Sequence, residues 1–167
     1  MYQTHRIFCA TPWEMEKERR RFYDIIGSFN ENKAMKHGVL YVPVTITNIA
    51  DKRPVQYVID ENIMDSRHYI LVLGEDGWGP AARNFRHDYR LATESVNDPA
   101  SAMESVAVLG KIPEPGADLP DRPESLPQPE AMFETGEEFD RCVNRLLERW
   151  LELSVERKSA AEAVSGG

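Results

Sequence analysis

Five consecutive apolar residues, Tyr69 to Leu73, include the β-branched Ile70 and Val72 and stop at Gly74. No other stretch restricts the fold as strongly, because an apolar run of that length without polar alternation reads as a central parallel strand buried on both faces. The strand runs into a loop of Glu75, Asp76, Gly77, Trp78, Gly79 and Pro80, which concentrates two carboxylates, two glycines and an indole. In an open α/β sheet ligands bind at the carboxyl ends of the strands, so this loop marks the expected working end.

The rest of the chain alternates around that strand. Arg6 to Ala10 is a short apolar segment followed by Thr11, Pro12, Trp13 and Glu14. Thr-x-x-Glu has the spacing of a capping box with proline at the first helical position, which predicts a helix starting there. Phe22, Ile25, Ile26 and Phe29 then recur at helical spacing, and Asn30 to Lys36 turns the chain. Val39 to Ile46 is β-rich but contains Pro43, which cannot donate to a ladder and so assigns this strand to the sheet margin. Pro54 opens a second helix with Val55, Val58, Ile59, Asn62 and Ile63 inward. Phe85, Tyr89, Ala92 and Val96 define a third, ending before Asn97, and Val106 to Leu109, closing on Gly110, is a fourth strand.

Residues 112–130 hold six of the eleven prolines and show no period, as expected of a surface crossing, with a short fifth strand at Ala131 to Phe133. Thr135 and Glu138 form a second capping box, ahead of a helix carrying Phe139, Cys142, Val143, Leu146, Leu147 and Trp150 on one stripe. The pattern predicts a single α/β domain over residues 1–155 and a flexible tail over 156–167. Its fold class is a flavodoxin-like three-layer sandwich on a mostly parallel sheet, order 2-1-3-4 with the fifth strand outermost. The switch point then lies between the first and third strands, bringing Thr11 to Glu14 beside Glu75 to Pro80.

Composition narrows the partners. The 167 residues are 41% hydrophobic and 29% charged, values of an ordinary globular chain, with no apolar run long enough for a membrane span or signal peptide. A cytoplasmic location is expected. The net charge of −8 repels phosphate backbones, so nucleic acid is not an expected partner. Cys9 and Cys142 show neither a zinc spacing nor a disulfide framework, and read as buried thiols. Neither a metal nor a cofactor is expected.

With both loops placed, RIFCATPWEMEKER resembles the opening of a bacterial TIR-like domain family of unknown function, often found ahead of STAND-type ATPase or repeat segments. Thr11, Trp13, Glu14, Glu18 and Arg19 match its positions, while Cys9 and Ala10 stand where it has small hydroxyl residues. SRHYILVLGEDGWGP resembles the family's second signature, with Ser66, Tyr69, Gly74, Trp78 and Gly79 in register. Coverage extends over about the first two-thirds of the chain.

The family is similar in fold to TIR domains and to nucleoside deoxyribosyltransferases, which cleave N-glycosidic bonds with a glutamate on the helix after the central strand. A carboxylate beside the anomeric carbon stabilises or attacks the oxocarbenium-like centre. Here that helix reads RNFRHDYRLATES, and Asp88 is the nearest carboxylate. The resemblance thus implies Asp88 as the catalytic group, with nucleotide, nucleoside or NAD as ligand.

Thr11, Trp13, Glu14, Gly74, Glu75, Asp76, Trp78 and Gly79 are the candidate ligand-binding residues. Each has a plainer alternative. Asp88 could instead pair with Arg83, Glu75 and Asp76 could be solvated, Trp78 could close the top of the core, and Thr11 with Glu14 could only cap a helix. His68 and His87 read as structural or exposed. Two functions therefore stand open: a nucleotide-binding domain of signalling or defence type, with or without N-glycosidic cleavage, and a non-catalytic module for homotypic or adaptor contacts.

Overall fold

The computed structural model describes residues 1–12, 14–45, 55–75, 82–116 and 127–166, with backbone only for 82–84. Five strands, β1 (Gln3–Ala10), β2 (Val39–Val44), β3 (His68–Leu73), β4 (Ser105–Lys111) and β5 (Ala131–Phe133), form one sheet in the order β2-β1-β3-β4-β5. Every pairing is parallel. Four α-helices complete the fold: α1 (Glu16–Phe29), α2 (Val55–Met64), α3 (Ala82–Val96) and α4 (Gly136–Ser165). This is the flavodoxin-like three-layer arrangement that the alternating pattern predicts.

The layers follow from side-chain alternation along the strands. Ile7, Cys9, Ile70, Val72, Ala107 and Leu109 face one way and pack with Phe22, Ile26 and Phe29 of α1 and with Phe139, Leu147 and Trp150 of α4. Phe8, Ala10, Tyr69, Leu71, Leu73 and Val108 face the other way, against Ile63 of α2 and Ala92 of α3. All six residues of β3 are buried, as a strand covered on both faces requires. Each large side chain so buried contributes about 1.5–3 kcal/mol.

Two local features shape the edges. β2 is an edge strand, and the Asn30 amide bonds to it from outside: its Nδ2 donates to the Tyr41 carbonyl and its Oδ1 accepts from the Tyr41 N–H, both at 2.9 Å. The side chain takes the place of a neighbouring strand there. On the opposite margin β5 crosses Gly110 so closely that a Cβ there would lie 2.6 Å from the Met132 sulfur and 2.8 Å from Pro129 Cγ. Gly110 is thus the condition for seating β5.

Several expectations need correction. The helix expected from Thr11 starts at Glu16, with Met15 at its N-cap and no side-chain cap. Met15 is 3% exposed, and burying it takes a turn closed by its N–H on the Pro12 carbonyl at 3.0 Å. Asn30 to Lys36 is helical, as a π turn (Asn30–Ala34) and then a 3-10 turn (Met35–His37), and the chain reverses only at Gly38, whose φ of 72° favours glycine. Val55 faces solvent, whereas Val58 and Ile63 are buried as expected.

Of the second capping box the Thr135 half is present, its hydroxyl accepting from the Glu138 N–H at 3.2 Å, while the Glu138 carboxylate accepts from the Glu134 N–H, one residue before the cap, at 3.0 Å. α4 runs past Glu156 to Ser165. Its alanine-rich end needs no core to stay helical, and Arg157 ties it to Glu104 at 2.7 Å. The described parts of the proline-rich crossing, 112–116 and 127–130, hold neither helix nor strand.

Candidate functional site

The strand carboxyl ends meet the start of α1. Arg19, one turn into α1 and largely buried, donates from Nη1 to the Thr11 hydroxyl at 3.0 Å and to the Pro12 carbonyl at 2.8 Å. Thr11 is therefore held by a guanidinium instead of capping the helix, and Glu14 is exposed. Beside Arg19, Glu18 lies 3.4 Å from the Lys111 ammonium, and Glu75 lies 3.9 Å from it on the other side. Lys111 is the last residue of β4, so the ends of β1, β3 and β4 converge on the first turns of α1 through Thr11, Arg19, Glu18, Glu75 and Lys111.

Gly74 is buried at the end of β3, where the chain leaves the sheet. Of the expected ligand-binding residues, Thr11, Glu14, Gly74 and Glu75 are thus located; Trp13, Asp76, Trp78 and Gly79 lie outside the described residues. Lys111 was missed from the sequence, although a lysine closing a β-strand at the carboxyl edge is a signal of position. Glu18 and Arg19 entered only as matches to a family pattern.

Asp88 occupies a different place. It sits six residues beyond Ala82, about 9 Å along α3, in the seam between α2 and α3, and is 4% exposed. Its Oδ1 accepts from Gln56 Nε2 at 2.9 Å, and the same nitrogen donates to Asp60 Oδ1 at 2.8 Å. His87 Nε2 lies 3.0 Å from that Asp60 oxygen, at the solvent side of the seam.

Burial pushes the Asp88 carboxyl up to about 6, opposed by the Gln56 hydrogen bond and the His87 charge and assisted by the nearby Asp60. Such a group gives and takes a proton near neutrality. One ligand atom each from Asp60, His87 and Asp88 lies within 4.8 Å of the others, so among the described residues these could hold a divalent ion, although the Gln56 amide already engages one oxygen of each carboxylate. Gln56 and Asp60 were legible only as an i, i+4 pair on α2.

His68 is buried, stacked on Trp150 with ring centroids 4.1 Å apart and planes 4° from parallel, and His87 is exposed beside Asp60. Cys9 and Cys142 are buried free thiols, with burial raising the Cys9 pKa to about 12. Neither is a reactive nucleophile.

The chain matches no protein-family model, and neither curated proteins nor solved structures contain a significant match to it.

Proposed function

We propose that this domain binds a nucleotide-like ligand at the carboxyl ends of β1, β3 and β4, in the manner that its resemblance to TIR-like signalling and defence domains implies. The observation that carries the reading is Lys111, held between Glu18 and Glu75 where three parallel strands end. A lysine there can receive a phosphate, and flanking carboxylates accept from ribose hydroxyls. The doubly wound sheet, with its strand order reversing between β1 and β3, supports the location.

Isothermal titration with NAD, ATP and adenosine tests this reading. Saturable binding that weakens about tenfold in Lys111→Ala supports it. Heats indistinguishable from dilution for every ligand, with the protein folded, would remove it.

N-glycosidic cleavage is the catalytic extension; the raised pKa of Asp88 favours it, whereas the place of Asp88 in the helix seam, bonded to Gln56, does not. Release of nicotinamide from NAD, abolished in Asp88→Ala, is its signature. A non-catalytic contact module is the second reading, favoured because Asp88 is engaged by Gln56 inside a helix seam while α2 exposes Val55, Tyr57 and Met64. Concentration-dependent self-association lost in Val55→Glu, without nicotinamide release, would favour the module.

A further inference from the structure

At the opposite, amino-terminal edge of the sheet, a cavity of about 430 Å3 opens between the starts of β1 and β2 and the second half of α4. That volume is in the range of small-molecule sites. Arg67, Arg157 and Lys158 line it. Glu104 is bound by both guanidiniums, from Arg67 Nη2 at 2.8 Å and Arg157 Nη1 at 2.7 Å. Each planar fork keeps further N–H donors, and Lys158 forms no ion pair among the described residues. Three cations against one carboxylate leave two positive charges in a chain whose net charge is −8.

A second observation lies directly behind this cavity. Gln3, Val39 and Ser154 also line it. His5 follows Gln3 by two residues and Tyr41 follows Val39 by two, so each shares a sheet face with the lining residue before it. Trp150 precedes Ser154 by four residues on α4, one helical turn away. His68 follows Arg67. Each of these four aromatic residues is at least nine-tenths buried. Their six ring and hydroxyl heteroatoms, both nitrogens of His5 and His68, the Tyr41 hydroxyl and Trp150 Nε1, have no hydrogen-bond partner among the described residues. Buried polar atoms without partners are rare and costly, and four such side chains in one layer beside a basic cavity are not accounted for by packing.

We propose that this cavity is a binding site for a small organic phosphate monoester. Its dianionic phosphate is held by Arg67, Arg157 and Lys158, and its polar body lies toward the His5, Tyr41, His68 and Trp150 layer. A phosphate dianion matches the two surplus charges, and the open guanidinium forks suit its oxygens. The cavity is larger than a free phosphate needs. This site is separate from the strand-end site and does not depend on it.

Titration of the full chain with ribose 5-phosphate, inorganic phosphate and ribose tests the assignment, read by calorimetry and by the Trp150 indole and histidine imidazole resonances. The expected result is saturable binding of ribose 5-phosphate, at least about tenfold tighter than inorganic phosphate or ribose. The Trp150, His5 and His68 resonances shift with it. Lys158→Glu and Arg157→Glu, both on the exposed part of α4, lose at least about tenfold in affinity.

Absence of saturation up to about 10 mM overturns the site. So does binding indifferent to Lys158→Glu and Arg157→Glu, or binding lost in Lys111→Ala alone. Equal affinity for inorganic phosphate and the ester overturns the organic ligand, because the remaining cavity then contributes nothing.

Discussion

In two of the places where the molecule buries polar side chains, it does so on opposite terms. In the seam of α2 and α3, Asp88 is engaged by Gln56, which also reaches Asp60, so hydrogen bonds tie the helices together. On the other side of the sheet, under α4, His5, Tyr41, His68 and Trp150 meet as rings: His68 lies flat on Trp150, and Tyr41 stands edge-on to His5 with centroids 5.5 Å apart. Their polar atoms have no hydrogen-bond partner among the described residues. The seam uses polarity as adhesive, while the aromatic layer carries its polarity as an unpaired load that packing must offset. Polar atoms kept in that condition point to the basic cavity next to them.

Acid is the strongest lever on this contrast. Burial lowers the pKa of His5 to about 4 and of His68 to about 3, so both are neutral in the folded protein, and the nearby charges of Arg67 and Arg157 push the same way. Below about pH 6.5 the unfolded chain takes up these protons first, and stability present above that pH is lost as the pH falls toward 4, at about 1.4 kcal/mol per pH unit for each histidine.

Asp88 has the opposite sign. Its folded pKa is raised, so its contribution is full below about pH 3.8 and is lost as the pH rises through about 6. Between pH 4 and 6 two histidines oppose one aspartate, and net stability rises with pH. Urea unfolding across this range should show a shallower acid loss in His68→Phe and a steeper one in Asp88→Asn. Parallel curves for all three proteins would break the comparison.

Trp150→Ala comes next in size. It removes a 2%-exposed indole and the stacking partner of His68, with an expected loss of about 3–5 kcal/mol in urea unfolding. Gln56→Ala sharpens the seam's side: deleting the donor shared by Asp60 and Asp88 should cost about 1–2 kcal/mol and raise the Asp88 pKa, followed by carboxyl NMR titration. A lowered pKa would mean that the amide is not what holds the carboxylate.

Tyr41→Phe is expected to be the smallest change. Because its hydroxyl has no partner among the described residues, stability should stay within about 1 kcal/mol of the parent or increase. A larger loss would reveal a partner for that hydroxyl and place it with the seam.

Much of the architecture is legible in the residues. The uninterrupted Tyr69 to Leu73 run places β3 at the centre, Pro43 consigns β2 to an edge, and the Phe139 to Trp150 stripe predicts a helix with one buried face. Local signals misled where a distant residue competed for the same group. The Thr11 hydroxyl could cap a helix, but Arg19 takes it, and the burial of Met15 delays the helix to Glu16. The end of α4 carries little to bury, yet it is helical to Ser165, which helix propensity and the Arg157 to Glu104 pair favour.

The candidate sites were legible only in part for the same reason. Gly74 and Glu75 could be placed because a strand end is a local fact. Lys111 between Glu18 and Glu75, Gln56 on Asp88, and the rings of His5, Tyr41, His68 and Trp150 join segments far apart in the chain. Hydrophobic period and turn chemistry act over a few residues, and so they determined the strands, most helices and the sheet order. Charge pairing and ring stacking act through space, and only the folded sheet decided which side chains share a cavity and which polar atoms remain without a partner.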